Sequence, residues 1–160
     1  MDCAPGTDKI GDYDGYDNNQ VVKIRLCALP ILSSSEESHG GYGIPASKTK
    51  GRALVNSRAS GAWYALVRKA EEDGVKMAAT SSFRTMAHQQ TLWNGHPDTK
   101  WVARPGYSNH QMGLAIDFSP PGGGFLTKGD KWYNWLSANA EKYDIKNYPV
   151  EAWHWSPTGN

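Results

Sequence analysis

A carboxylate stands in the middle of an otherwise apolar segment. Leu114-Ala115-Ile116-Asp117-Phe118 is short and β-branched at its centre, and it ends at the breaker Pro120-Pro121-Gly122-Gly123-Gly124. This pattern predicts a buried strand. An unpaired carboxylate in such a strand costs several kcal/mol. Any fold of this chain must therefore bring Asp117 a cation, a salt bridge or a set of N–H donors.

Composition narrows the classes of molecule that meet this demand. The chain has 160 residues, which fits one domain that needs no oligomer or metal merely to fold, so a monomer is expected. Lys+Arg 17 against Asp+Glu 16 leaves a net charge of +1, too little for electrostatic nucleic-acid binding. The apolar runs are only a few residues long, which excludes a membrane span. With 7 Trp, 8 Tyr and 3 Phe, the chain carries too many aromatics for a solvated coil. The two cysteines, Cys3 and Cys27, admit either two buried thiols or one disulfide. The start Met1-Asp2-Cys3-Ala4-Pro5 has neither the basic end nor the apolar centre of an export leader, so an exported protein would be a trimmed form.

Along the chain, residues 1–20 are rich in Gly, Asp, Asn and Tyr and read as turns. A strand is expected near 21–27 and a mobile Ser/Glu/Gly loop over 33–43. Ala59, Trp63, Leu66, Val67 and Ala70 lie at helical spacing, with Ser57 or Ser60 as cap and Gly74 as stop. Val75, Met77 and Ala79 alternate as a strand would. Thr85 can cap a second helix through Trp93, and Asp130 a third that carries Trp132, Trp135, Leu136 and Tyr143 on one face. Glu151-Ala152-Trp153-His154-Trp155 reads as a last strand. The mixture predicts an α+β fold.

His110, Asp117 and His154 have the side-chain types of a catalytic zinc site, in which three protein ligands leave a fourth position to water. The residue types alone leave a second reading open, with Asp117 paired to an arginine, His110 on a loop surface and His154 satisfied in the core. Glu151 adds a carboxylate suited to take a proton from a metal-activated water. In a regular strand Glu151 and His154 would face opposite sides. They converge only if the chain bends there or if Glu151 lies in a turn after Pro149. His39, His88 and His96 read as solvated.

These residues also carry a resemblance. Ser108-Asn109-His110-Gln111-Met112-Gly113-Leu114-Ala115-Ile116-Asp117 resembles the Ser-x-His-x-x-Gly-x-Ala-x-Asp signature of the LAS metallopeptidases, and Glu151-Ala152-Trp153-His154 their Glu-x-Trp-His segment. Pro105-Gly106-Tyr107-Ser108 is similar to the family's lead-in. Ser82-Phe83-Arg84-Thr85 with Gln89 is similar to its upstream Ser-x-Arg-Ser…Gln block. Asn109 stands where relatives often carry Glu, and Thr85 where they carry Ser. The match covers about residues 53–156 and is closest in type to VanY-like D-alanyl-D-alanine carboxypeptidases. It implies a small antiparallel sheet flanked by helices, of the hedgehog/D-Ala-D-Ala peptidase kind. Residues 51–160 would form the peptidase domain and residues 1–50 an extension packed on it.

The resemblance further implies Zn2+ held by His110, Asp117 and His154, with Glu151 as base. Arg84 would face the substrate, polarising the scissile carbonyl or gripping a peptide carboxylate. Ser82, Gln89, Ser108 and Trp153 are candidate substrate contacts, although Ser82 can equally cap a helix and Gln89 hold Arg84 or a backbone group. The implied substrate is a peptidoglycan stem peptide, cut by a D,D-carboxypeptidase or by an endopeptidase of the same fold. A zinc-bearing binding module is the rival from another class. Such a substrate places the protein outside the cytoplasm, or delivered to the wall by a phage, and that setting favours a Cys3–Cys27 disulfide.

Overall fold

The computed structural model describes residues 1–34 and 44–160, so from residue 35 onward the expected loop over 33–43, with His39, lies outside the described residues. Two antiparallel sheets organise the molecule. One has the order β1 (Asp8–Asp17), β2 (Gln20–Leu32), β3 (Arg52–Asn56). The other has the order β4 (Ala78–Ser81), β5 (Ile116–Ser119), β7 (His154–Ser156), β6 (Lys146–Asn147). Helices α1 (Ala46–Thr49), α2 (Ser57–Glu72), α3 (Met86–Gly95) and α4 (Lys131–Asn139) complete the α+β architecture.

Strand β1 corrects the reading of residues 1–20 as turns. Its register sets Asp12 opposite Arg25 and Asp14 opposite Lys23, and these pairs close at 2.9 and 2.6 Å. Opposite-charge pairs across antiparallel strands support the pairing, without the apolar alternation that reveals a strand in sequence. Asp17 and Gln20 flank a two-residue turn, Asn18-Asn19, with φ of 50° and 60°. Both central residues at positive φ give the turn whose twist matches a hairpin. Cys3 and Cys27 form a disulfide with Cα atoms 5.6 Å apart, closing a sequence separation of 24. Its chain-entropy contribution is roughly 3 kcal/mol.

The main core lies between α2 and the second sheet. Trp63, Leu66, Val67 and Ala70 from α2 meet Ile116, Phe118, Leu136 and Trp155. Asn56, rather than Ser57 or Ser60, caps α2 by accepting from Arg58 N, while Ser60 Oγ accepts from Ala4 N. Thr85 and Asp130 cap α3 and α4 as expected. Trp132 and Trp135 pack on the core and donate to Lys76 O and Asp73. His88, expected at the surface, is buried in α3.

A second core sits beneath the hairpin, where Ile10, Ile24, Leu26 and Leu54 enclose Phe83 and Met112. Phe83 precedes Arg84, and Met112 follows His110 by two residues, so this core seats two parts of the site. The strand expected from Val75 begins at Ala78. The last strand begins at His154, because Tyr148, Pro149, Val150 and Glu151 turn instead. Glu151 N donates to Tyr148 O at 2.9 Å, and Asn147 Nδ2 donates to the carbonyls of both Glu151 and His154.

Candidate metal centre and active-site cleft

Three segments converge on Asp117. Strand β5 carries it, paired with His154 of β7 and with Ser81 of β4. His110 arrives on a 3-10 turn, Asn109–Met112, that Ser108 caps by accepting from His110 N at 3.1 Å. Gly113, at φ +68°, then returns the chain toward β5. One ligand atom from each of His110, Asp117 and His154 lies within 4.8 Å of the others, and all three residues are buried.

The hydrogen bonds fix which atoms face the shared point. His110 Nδ1 lies 2.7 Å from Ser82 O, and a carbonyl only accepts, so Nδ1 carries the hydrogen. Burial, with Arg84 adding to it, pushes His110 down to about 4, leaving a neutral ring. Its bare Nε2 then faces Asp117 Oδ1 at 3.2 Å, acceptor against acceptor. His154 Nε2 likewise sits 2.7 Å from the main-chain oxygen of Asn160, which directs Nδ1 at the same Oδ1, 2.8 Å away. Burial works against a charged His154, but the hydrogen bond and charge of Asp117 overrule it and raise its pKa, so a proton fills that gap. Burial also pushes Asp117 up, and the two histidines together overrule it, holding its carboxyl well below the usual range. A buried point ringed by two imidazole nitrogens and one carboxylate oxygen, each imidazole donating its other N–H to main chain, fits a divalent cation of zinc type.

Arg84 supplies the positive edge. Nε donates to Ser81 Oγ at 2.9 Å, one terminal nitrogen to Gln89 Oε1 at 3.2 Å, and the other to Asp117 Oδ2 at 3.2 Å. Each terminal nitrogen keeps a second N–H, and Arg84 lines a cleft of about 520 Å³ together with His110, Asp117, His154, Ser108, Glu151 and Trp153. Glu151 lies in the turn after Pro149, the arrangement that lets it share this cleft with His154 despite their spacing. Burial first, and the charge of Asp117 second, push its carboxyl up to about 7.

Two expected substrate contacts stand elsewhere. Ser82 is 0% exposed, its hydroxyl accepting from Leu54 N at 3.0 Å and its carbonyl holding His110. Gln89 is equally buried, donating to Ala103 O at 2.7 Å while it accepts from Arg84. Ser82 directly follows β4 and Gln89 lies in α3; both side chains face inward, so they hold the site from behind and do not line the cleft. Trp101, Tyr107, Phe125 and Tyr148 line the cleft without having been singled out in the sequence. Phe125 packs on Trp153 with ring centroids 4.9 Å apart, and Tyr148 stands edge-on to His154.

The Glu151 environment has a measurable consequence. A carboxyl whose pKa rises from 4.5 to about 7 on folding holds a proton in the folded state that the unfolded chain has released. Its contribution to stability is full below pH 4.5 and is lost as pH rises through about 7. Under chelator, the stability of wild type minus that of Glu151→Gln should therefore fall with rising pH over this window, read from denaturant midpoints. Parallel curves would contradict the assignment.

The family model described as VanY, D-alanyl-D-alanine carboxypeptidase, matches residues 52–160. The chain belongs to this family. A D-alanyl-D-alanine carboxypeptidase of Enterococcus faecalis is 30% identical over 117 residues, covering 56% of this chain and 43% of that protein, so the chain spans less than half of that relative's length. Among solved structures, VanYB in complex with D-alanine-D-alanine superimposes with a TM-score of 0.57 at 25% identity, over 68% of this chain and 73% of that one. The vancomycin-resistance D,D-pentapeptidase VanY in complex with Zn(II), a point mutant, gives a TM-score of 0.53 at 25% identity, over 68% of this chain and 74% of that one. The VanY-family match begins at the first residue of β3, so the hairpin β1–β2 precedes it.

Proposed function

We propose that this VanY-family chain is a zinc-dependent D,D-carboxypeptidase that removes the terminal D-alanine from peptidoglycan stem peptides, working outside the cytoplasm or delivered to the wall by a phage. The observation that carries this reading is the pair of imidazole nitrogens, His110 Nε2 and His154 Nδ1, aimed at one Asp117 oxygen, in a cleft that also holds Glu151 and Arg84. The complexes of VanY relatives with D-alanine-D-alanine and with Zn(II) support the substrate and the metal.

His110, Asp117 and His154 would hold the zinc. When bound, zinc supplies a water of lowered pKa and a Lewis acid for the scissile carbonyl. Glu151, half-buried and adjoining the ligands, accepts the proton of the attacking water and passes it to the departing amine. Arg84 offers its remaining terminal N–H groups to the developing oxyanion or to the substrate carboxylate. Ser81, Gln89 and Asp117 keep that guanidinium in one geometry, so little orientation is lost when the peptide arrives. Trp153 and Phe125 wall the cleft and limit water around the reacting groups.

Incubation with a stem pentapeptide ending in D-Ala-D-Ala, followed by mass spectrometry, should show loss of one alanine that chelator abolishes. Cleavage further inside the peptide would replace this reading with the endopeptidase one, and binding without cleavage would replace it with a binding module.

A further inference from the structure

We propose that the N-terminal hairpin β1–β2, which lies outside the matched family region, is the positioning device for the loop that carries Ser108 and His110. The proposal deepens the reading above, since it takes His110 as a metal ligand.

Residues 105–112 are gripped by the hairpin at two points. At its tip, Asn19 N donates to Gly106 O at 2.8 Å. Gly106 has φ +94°, and a Cβ there would lie 2.9 Å from Asn19 Cα and 2.3 Å from its Oδ1, so only glycine admits this approach. Asn19 is itself fixed by the two-residue turn that closes the hairpin. Further along, β1 lies on the 3-10 turn at Gly15, where a Cβ would stand 3.0 Å from Gln111 O and 3.1 Å from the side chain of Ile24 in β2. Gln111 completes the grip by accepting from Gly106 N at 2.7 Å. Gly106 is thus held at its nitrogen by the loop and at its oxygen by the hairpin.

Below these contacts, Met112 and Phe83 are buried against Ile10, Ile24 and Leu26 of the hairpin. The two flanks of the site are in turn joined to each other, because Arg84 N donates to His110 O at 2.9 Å. A force that moves the hairpin therefore moves the main chain of a ligand and of the guanidinium together. Gly15 and Asn19 are positioning residues and touch no substrate. Loss of outer contacts that orient a ligand typically lowers metal affinity about 10–100-fold.

Gly15→Val leaves every residue of the loop and cleft unchanged while its side chain crowds Gln111 O on one side and Ile24 of the hairpin on the other, loosening the seat of β1 on the loop. Its zinc Kd, read by chelator competition, should rise about 10-fold, KM for the stem peptide should rise more than kcat falls, and amides of residues 105–112 should exchange hydrogen faster. Gly15→Ala should show the same changes in smaller measure, and it keeps the test readable if the valine variant does not fold. Unchanged exchange over 105–112, or faster exchange with wild-type zinc affinity and KM, would overturn the proposal. A wild type that binds zinc but releases no D-alanine would refute the carboxypeptidase reading, and the zinc and exchange measurements would still decide the role of the hairpin.

Discussion

Asp117→Asn should yield a folded protein that binds no stoichiometric zinc and hydrolyses stem peptide no faster than background. The amide has the shape of the carboxylate, and its oxygen can keep the bond that Arg84 makes to Asp117 Oδ2 at 3.2 Å. Its NH2 would face the two imidazole nitrogens that now crowd one anionic oxygen at 3.2 and 2.8 Å. His110 Nε2 is already bare, and His154 Nδ1 loses the proton that the Asp117 charge holds there, so donors would meet acceptors and the local packing would survive. What the substitution removes is the negative charge and the anionic ligand. Because a lost outer-shell partner already costs about 10–100-fold in metal affinity, loss of this ligand should exceed that range. Elemental analysis after gel filtration, with near-UV circular dichroism to report the fold, reads both halves. Stoichiometric zinc in the folded variant would remove Asp117 from the ligand set.

Glu151→Gln should do the reverse, keeping zinc while losing most turnover. Glu151 stands outside the trio of converging donors, on the turn that Tyr148 O and Asn147 fasten in front of β7. Its amide replacement fits the same space and keeps the cleft closed to the same degree. A positioned acid–base group contributes about 10²–10⁴-fold to a rate, and a loss of kcat in that range with unchanged zinc content is the expected result. Near-wild-type hydrolysis would end its assignment as the base.

The uneven legibility of this protein in its sequence follows from where each signal resides. The strand around Asp117 was legible because a charge among apolar neighbours is a local anomaly, and the helices because Thr85 and Asp130 cap them by contacts three residues away. His110 and His154 were legible as residue types, but their ring orientations were not, since Ser82 O and Asn160 O come from other elements. Ser82 and Gln89 were legible as neighbours of Arg84, but the choice between touching substrate and holding the site from behind was not. Whether a hydroxyl or amide looks into a cleft or into Leu54 N or Ala103 O is decided by packing between distant segments. Of the hairpin, the strand expected near 21–27 is the body of β2, and β1 was the largest omission. Strand β1 is held by Asp–Arg and Asp–Lys pairs that in sequence look like a solvated, turn-rich stretch.

A crystal of the zinc-loaded protein, measured at the zinc absorption edge, tests the central claim most directly. The anomalous map should show one strong peak bonded to His110 Nε2, His154 Nδ1 and an Asp117 oxygen, at about 2.0–2.2 Å from each, with Glu151 beside it but not bound. A peak elsewhere, or one that leaves out any of the three donors, would contradict the account.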